Sequence, residues 1–366
     1  MPLTASIVEV NVNGDIQAAI DALGSAGGIV QLGPGTYPIT ATLQISTPIT
    51  LRGSGPNSTF LTAYGLGAST DVIRISSSGD LRSVELKDFQ IIGTGTSGRY
   101  GVYIDTLVSA ATVAYCNFEN LWVQGLGTGA FFSEQHLTNP DGFFNSTISR
   151  CVLGGCVTLL RAGDSLTFRD NLFSRQGGGL DVTLVDGAGR FEVSGNVFIS
   201  NPGIILRNST IFAKIEGNFF EPAAGTTNPN ADGASVSVLG DVASIASTLV
   251  LNNQFNTTPG TGGTAIYVGA ASGTVVDGNK VLYGLATHKG LVVASSASYT
   301  TIGNNQFWGA TYVDVVNSVR VQDASTTSIY PLSMNSPNAT LSAKTTDDFV
   351  SYEDDYVMYD DTIVTY

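Results

Sequence analysis

A short phrase recurs through most of this sequence. In each clear copy an apolar residue and two further residues precede an Asn, and Phe follows two positions later, as in FRDNLF, VSGNVF, IEGNFF and IGNNQF. The equivalent asparagines are separated by 25, 22, 35, 26 and 26 residues. They are Asn171, Asn196, Asn218, Asn253, Asn279 and Asn305. Self-similarity at this period indicates a solenoid, in which each unit stacks on the next.

The period and the short apolar segments favour a parallel β-helix. A coil of this size holds three short strands and three turns, and only stacked coils bury their inner faces. Asn suits a turn position, because it tolerates left-handed φ and its amide can bond to an equivalent Asn in the next coil. A leucine-rich or helical solenoid is excluded, since no L-x-x-L-x-L phrase and no long 3.6-residue periodicity occur. We therefore predict an all-β solenoid of about ten to eleven coils.

The composition agrees with strands and excludes two classes of partner. Charged residues make up 13% of the chain, whereas soluble domains average about a quarter. The apolar fraction of 43% argues against disorder. A net charge of −14 with 16 Lys and Arg argues against nucleic acid and against an anionic membrane surface. No apolar run is long enough for membrane insertion.

One amphipathic helix is predicted ahead of the solenoid, over residues 14–24. Asn13 or Asp15 can cap its start, and Gly24 can end it. Such a helix would cover the apolar end of the solenoid and prevent edge-to-edge pairing. Its apolar face comprises Ile16, Ala19, Ile20 and Leu23.

Residues 15–55 carry several phrases in a fixed order. The order is I-Q-x-A-I-D-A in the helix, then G-G-x-V, then L-x-P-G-x-Y, and finally an apolar strand closing with L-x-G-x-G. This segment, about an eighth of the chain, resembles the opening of the pectate-lyase-like superfamily. That superfamily includes phage tailspikes, polysaccharide lyases, glycoside hydrolases and epimerases. The resemblance implies a right-handed, single-stranded parallel β-helix, but it does not define an activity, because this fold supports many.

We divide the chain into three parts. Residues 1–28 hold an N-terminal strand and the capping helix, and residues 29–321 form the parallel β-helix. Residues 322–366 form an extended, acidic, tyrosine-rich segment, expected to pack on the solenoid, a neighbouring subunit or another virion protein. Turn-rich sequences predict long loops at 125–145 and 221–233.

The best candidate for chemistry is the segment 131–144, which combines two carboxylates, a His and four Phe residues. Glycoside hydrolysis uses two carboxyl groups that flank the scissile bond. We predict Glu134 as the acid and Asp141 as the base or nucleophile, with His136 orienting or binding the substrate. Further substrate contacts are predicted at Phe132, Phe143, Arg169 and Trp122.

A structural interpretation of the same segment stays open. Asp141 followed by Gly142 is an ordinary turn signal, the Phe residues can serve packing, and Glu134 can be a solvated surface residue. No cofactor is expected, except that a lyase would need a cation such as Ca²⁺ held by carboxylates.

The three cysteines are Cys116, Cys151 and Cys156. Their odd number and irregular spacing favour buried, reduced thiols over disulfides or a metal site. No metal ligands are predicted, because the chain has only two His and no Cys/His cluster.

The sequence leaves three functions open. The first, implied by the resemblance, is a homotrimeric phage virion protein of tailspike or tail-fibre type that recognises bacterial surface polysaccharide, with or without cleaving it. The second is a non-catalytic decoration or adhesion protein of the virion, and the third is a free polysaccharide lyase or glycoside hydrolase. The N-terminus lacks the basic start and apolar core of a signal peptide, so we expect synthesis in the host cytoplasm and release by lysis.

Overall fold

Strands from successive coils pair in parallel and build the three faces of a right-handed parallel β-helix, as predicted. The structure is a computed structural model. It describes residues 6–107, 111–135, 142–160, 164–174, 180–184, 190–199, 203–208, 212–221, 234–239, 245–256, 264–284, 289–294, 297, 299–303, 305–309, 320–323, 341–342, 356–359 and 362–365.

Three long strands turn corners and contribute to more than one face; they are Glu85–Ile92, Asn117–Gln135 and Val152–Leu160. The other strands of face 1 are Ile7–Val10, Gly28–Leu32, Ile49–Arg52, Thr147–Ser149, Leu166–Arg169, Phe191–Ser194, Ala213–Glu216, Leu249–Leu251, Val275–Asp277 and Thr301–Ile302. Those of face 2 are Gly35–Pro38, Thr59–Thr62, Leu172–Ser174, Val197–Ile199, Phe219–Glu221, Gln254–Phe255, Lys280–Gly284 and Gln306–Gly309. Those of face 3 are Leu43–Ile45, Ile73–Ser76, Tyr100–Thr106, Leu180–Leu184, Ile204–Asn208, Ala234–Leu239, Thr264–Val268, Lys289–Val293, Arg320–Asp323 and Leu341–Ser342.

Smaller groups of strands lie outside these faces. Asp80–Arg82, Thr112–Ala114 and Phe143–Phe144 pair at the corner between faces 3 and 1, and Ile245–Ala246 pairs with Ala271–Ser272. Near the end of the chain, Tyr356–Tyr359 pairs antiparallel with Thr362–Thr365. The rest of the predicted C-terminal segment lies outside the described residues, apart from the strand residues at 322–323 and 341–342.

The helix Ile16–Leu23 is followed by a single 3-10 turn, Gly24–Ala26. Asp15 caps the helix by accepting a hydrogen bond from the Ala18 N–H at 2.9 Å, and the four predicted apolar residues are the buried ones. The Gln17 side chain donates to the Gln44 carbonyl and accepts from the Gln44 N–H. It thereby occupies backbone groups of the first strand of face 3, so the helix covers that edge as the sequence predicted.

The predicted asparagine ladder runs through the turn between faces 1 and 2. The Oδ1 of each successive Asn accepts from both the backbone N–H and the Nδ2 of the Asn before it, at 2.9–3.0 Å. Each ladder side chain is buried. The residue before the ladder position has a left-handed φ in Asp170, Gly195, Gly217, Asn252 and Gly278, which turns the chain so that the amide points inward.

A stack of phenylalanine rings runs beside the ladder. Phe173, Phe198, Phe220 and Phe255 lie in register on consecutive coils of face 2. Their successive ring centroids are 4.4, 4.8 and 4.8 Å apart, with the planes within 9° of parallel. The spacing matches the distance between neighbouring strands, so one ring in each coil fills the same part of the core.

The predicted loop at 125–145 is wrong for residues 125–135, which belong to the strand Asn117–Gln135. The chain turns the corner at Gly125, where φ is 71°, and pairing then resumes after a register shift. Phe131 lies in register between Val102 and Val157 and is buried with them, so burial fixes this segment as strand. The loop predicted at 221–233 lies, from residue 222, outside the described residues.

Two thiols buried in the core should make the stability of the fold depend on pH. Cys116 and Cys151 are buried and free, whereas Cys156 is half-buried. Burial raises the pKa of the Cys116 thiol to about 11 and that of Cys151 to about 12. The folded protein therefore retains protons that the unfolded chain releases near pH 9. The resulting stabilisation is intact below pH 9 and is lost as the pH rises through the pKa values of the folded protein, about 11 for Cys116 and about 12 for Cys151.

We expect the free energy of unfolding to fall more steeply above pH 9 in the wild type than in a Cys151→Ala variant. The difference in slope should be about 1.4 kcal/mol per pH unit. Urea unfolding at a series of pH values from 7 to 11 measures it, and the comparison cancels the titration of tyrosines common to both proteins. Equal slopes would contradict the assignment of Cys151 as a buried neutral thiol.

Candidate functional site

The outer surface of face 3 carries a cluster of aromatic and charged side chains near the N-terminal end of the solenoid. Parallel pairing aligns Arg74 with Tyr103, and Tyr103 with Phe132, on three consecutive strands. Neighbouring strands lie about 4.8 Å apart, so these three side chains are adjacent. Their positions in the sequence are far apart, and the solenoid brings them together.

A second column on the same face aligns Asp105 directly with Glu134. Asp105 is buried, and Arg74 donates to its Oδ2 through both Nε, at 3.0 Å, and Nη2. The Leu107 N–H donates to the other oxygen at 3.0 Å. Both oxygens of Asp105 therefore act as acceptors, as in an ionised carboxylate. Glu134 is half-buried, so this residue is more exposed than Asp105.

A second arginine and carboxylate flank this pair. Arg99 donates from Nε and Nη2 to the two carboxylate oxygens of buried Asp71, at 2.8 Å each. This two-point geometry fixes the guanidinium plane. Arg99 is attached to the strand that starts at Tyr100, so the ion pair positions its side chain over that strand.

Three aromatic rings lie between these charged groups. Tyr100 and Phe132 stack with centroids 4.5 Å apart and planes 8° from parallel. Tyr103 contacts Phe132 at 5.4 Å in a tilted arrangement. The guanidinium carbons of Arg74 and Arg99 lie 5.1 and 5.2 Å from the centre of the Tyr103 ring, close enough for a cation–π interaction with each.

The surroundings of the two tyrosines raise their pKa values. Burial, to which the charges of Asp105 and Glu134 add, raises the pKa of Tyr103 to about 12. Burial also raises the pKa of Tyr100, and the charges of Asp71 and Glu134 act in the same direction. Both phenols therefore remain neutral at physiological pH and can donate a hydrogen bond.

The structure brings together only some of the residues predicted from the sequence. Glu134 and Phe132 lie in this cluster, although on a strand rather than in a loop. Trp122 lies on face 2 and Arg169 on face 1, so neither belongs to the cluster. Phe143 is buried and packs edge-on against Phe118. It therefore belongs to the core, which corrects its prediction as a substrate contact.

The two remaining predicted site residues, His136 and Asp141, lie outside the described residues. Within the part of the chain that the structure describes, no group of three or more His, Cys, Asp or Glu side chains could hold a metal ion. Among the same residues, no helix is long and apolar enough to cross a membrane.

Residues that the sequence interpretation missed complete the cluster. They are Asp71, Arg74, Arg99, Tyr100, Tyr103 and Asp105. The sequence spacing of the two ion pairs could have indicated them. Asp71 and Arg99 are 28 residues apart, and Arg74 and Asp105 are 31 apart. Each separation is close to the length of one coil in this part of the chain.

Several solved structures have folds similar to that of this chain. The Dettilon tailspike protein has a TM-score of 0.62 and 16% identity over 89% of this chain and 64% of that chain, so this chain spans less than two thirds of it. PfbA, a surface adhesin of Streptococcus pneumoniae, has a TM-score of 0.56 and 14% identity over 96% and 95% of the two chains. The Azotobacter vinelandii mannuronan C-5 epimerase AlgE6 A-module has a TM-score of 0.55 and 13% identity over 86% and 93%.

These structures share the right-handed parallel β-helix of the pectate-lyase-like fold, which this chain also adopts. Identities of this size define the fold alone. No family model matches the sequence, and no curated protein sequence matches it.

Proposed function

We propose that the protein binds a polysaccharide on the outer surface of face 3, as a β-helix protein of tailspike type. The observation that carries this proposal is the stack of half-buried Tyr100 and Phe132, which contacts buried Tyr103 and is bordered by ion pairs and by Glu134. Aromatic rings offer a flat apolar surface to the C–H face of a sugar ring. The surrounding carboxylates and guanidinium groups accept and donate hydrogen bonds to its hydroxyl groups.

The shape of the face supports an extended ligand. The outer columns continue from the cluster along consecutive strands of face 3, at about 4.8 Å per strand. A polymer can therefore contact several coils at once, and its binding energy is shared between subsites. A tailspike and a surface adhesin are among the proteins of similar fold, and both names describe proteins that act at a cell surface or on a virus particle.

We further propose that the ligand is a bacterial surface polysaccharide and that the protein is a homotrimeric component of a phage virion, attached to other virion proteins. The outer surface of face 2 supports association of copies, because five consecutive coils present half-buried apolar side chains there. They are Trp122, Val152, Leu172, Val197 and Phe219. Covering such a column in a neighbouring copy would remove apolar surface from water.

Cleavage of the bound polysaccharide is the second candidate function. It is favoured by the register of Asp105 and Glu134 on neighbouring strands, since glycoside hydrolysis uses two carboxyl groups about 5–10 Å apart. Asp105 is held by three donors, so we propose Glu134 as the acid. The base or nucleophile predicted from the sequence, Asp141, lies outside the described residues and stays a prediction. Without cleavage, the same surface serves an adhesion protein.

The binding proposal is tested by replacing Phe132 with alanine. Loss of the ring that stacks on Tyr100 should weaken polysaccharide binding by about tenfold, which corresponds to about 1.4 kcal/mol. Binding of fluorescently labelled bacterial surface polysaccharides measures the effect.

The matched control is Phe212→Ala, which removes an exposed aromatic ring at a corner of the solenoid and should leave polysaccharide affinity unchanged. Wild-type affinity in the Phe132→Ala variant would show that the proposal is wrong.

A further inference from the structure

We infer that the corner between faces 3 and 1 holds a second binding site for sugar rings, made of Arg82, Tyr115 and Phe144, the corner cluster. The inference rests on the proposed function and adds a second contact for the same polysaccharide. It follows from the side chains that surround Tyr115, from the conformation of its backbone and from its position beside the cluster on face 3.

Tyr115 presents an accessible aromatic ring at this corner, where it is 52% exposed. The guanidinium carbon of Arg82, on the preceding coil, lies 5.7 Å from the centre of the ring. Phe144, on the following coil, meets the ring edge-on, with the two centroids 6.4 Å apart. A guanidinium group and two aromatic rings therefore come together at one accessible part of the surface.

The same three residue types lie together in the same three coils on face 3. There Arg74, Tyr103 and Phe132 are in register on consecutive strands. The guanidinium carbon of Arg74 lies 5.1 Å from the centre of the Tyr103 ring, whose centroid is 5.4 Å from that of Phe132. Tyr103 is buried, whereas Tyr115 is exposed, so at the corner the tyrosine itself is accessible to a sugar.

The backbone conformation of Tyr115 indicates that its ring is not there for folding. Its φ of 56° is left-handed, which is unfavourable for a bulky side chain and easier for Asn. Asn145 occupies the equivalent position of the next coil with a φ of 48°, so the turn does not require an aromatic residue. Because the Tyr115 ring is half exposed, it also gains little from burial. Backbone strain without a gain in packing is typical of a functional position.

Polar groups beside the ring match the hydroxyl groups of a sugar. Arg82 donates from Nη2 to Asp80 at 2.9 Å, and both side chains are more than half exposed. A guanidinium group has five N–H donors, so Arg82 can also donate to a sugar hydroxyl, while Asp80 can accept from one. The ring of Tyr115 offers apolar surface to the C–H face of the sugar. The corner cluster therefore provides the same kinds of contact as the cluster on face 3.

Both clusters can hold one polysaccharide chain. The strand Tyr100–Thr106 on face 3 and the strand Thr112–Ala114 at the corner belong to the same coil. A polymer bound at one cluster is therefore close to the other, and the second contact is made within the same complex. Two such contacts raise the overall affinity above that of either one.

Replacing Tyr115 with Asn tests the second site. Asn removes the ring and adopts a left-handed φ more readily than Tyr, so the midpoint of unfolding in urea should be at least as high as in the wild type. Affinity for fluorescently labelled bacterial surface polysaccharides should fall by about fivefold, because one of the two contacts is lost. The measurement uses the full-length protein and the polysaccharides that bind to the wild type.

The matched control is Phe212→Asn. Phe212 lies four coils further along the same corner, is 58% exposed and has a φ of 55°. Within the described part of the chain no guanidinium group lies over its ring. This variant should therefore bind polysaccharide with the affinity of the wild type.

The outcomes separate the second site from the proposed function. Wild-type affinity in Tyr115→Asn, together with weaker binding by Phe132→Ala, would overturn the second site and leave the site on face 3 standing. Equal losses of affinity in Tyr115→Asn and Phe212→Asn would also overturn it, since the surroundings of Tyr115 would then not matter. A lower unfolding midpoint of Tyr115→Asn would assign the ring to folding and overturn the inference. If the wild type binds none of the polysaccharides, the proposed function is wrong, and the inference with it.

Discussion

Replacing Asn253 with alanine should lower the free energy of unfolding by about 2–4 kcal/mol. Asn253 is buried within the ladder, and its Oδ1 accepts from both the backbone N–H and the Nδ2 of Asn218 at 3.0 Å. Its Nδ2 donates to the Ile215 carbonyl and to Asn279. Alanine leaves the Asn218 N–H in the core without its acceptor. Because a buried N–H group without a hydrogen bond is unfavourable, the variant loses stability.

Urea-induced unfolding followed by circular dichroism measures this loss. The control is Asn256→Ala in the same coil. Asn256 is only partly buried, and among the described residues its side chain donates one long hydrogen bond, 3.4 Å, to the exposed Glu221. That change should cost less than about 0.5 kcal/mol. Similar losses in the two variants would mean that the ladder amides contribute no more than surface asparagines.

The ladder was predictable because it repeats. Four of the five gaps between the six asparagines are 22 to 26 residues, and the fifth is 35. The common gap fixes the coil length, and the coil length fixes which residues stack. Because the coils stack, a polar side chain buried in this turn has one favourable arrangement, in which its amide bonds to the Asn of the next coil. The capping helix was predictable for a similar reason, since its burial follows directly from a 3.6-residue pattern and from the Asp15 cap.

The candidate site was less predictable because it lies where the repeat is weakest. In the coils that carry the site, residues other than Asn occupy the position of the ladder. They are Phe89, Leu121 and Cys151, which come before Asn171 in the same turn of successive coils. Successive positions there are 32 and 30 residues apart, longer than the later coils except the one from Asn218 to Asn253, which has 35 residues. The strand Asn117–Gln135 also shifts register between Gln124 and Gly129. Alignment by the asparagine period therefore does not bring the site residues into register.

The location of the site follows from the same irregularity. Longer coils leave residues that the minimal solenoid does not need, and the extra length on face 3 is where Arg99, Tyr100 and Phe132 meet. The regular coils of the ladder then act as a rigid scaffold that holds the site strands in register. The local sequence of segment 131–144 was enough to propose Glu134 and Phe132, whereas the residues that surround them were recognised only from the pairing of strands.

The largest loss of stability is expected from Phe220→Ala, about 3–5 kcal/mol. Phe220 is 1% exposed and lies between Phe198 and Phe255, with each ring centroid 4.8 Å away. Alanine removes the middle ring, so the variant loses both stacked contacts and leaves a cavity that neighbouring coils, fixed by their backbone ladders, cannot close. Phe220→Leu should lose less, since it retains most of the volume.

Phe212→Ala is the control, because Phe212 is 58% exposed at a corner of the solenoid. Its φ of 55° is unfavourable for any residue with a side chain, so alanine relieves no strain there and removes no core packing. We expect a change within about 0.5 kcal/mol.

In the Phe220→Ala variant, hydrogen exchange should become faster on the coils next to residue 220 than on the site strands around Tyr103, since each coil is stabilised mainly by its neighbours. A uniform increase along the whole solenoid would instead mean that it unfolds as one cooperative unit.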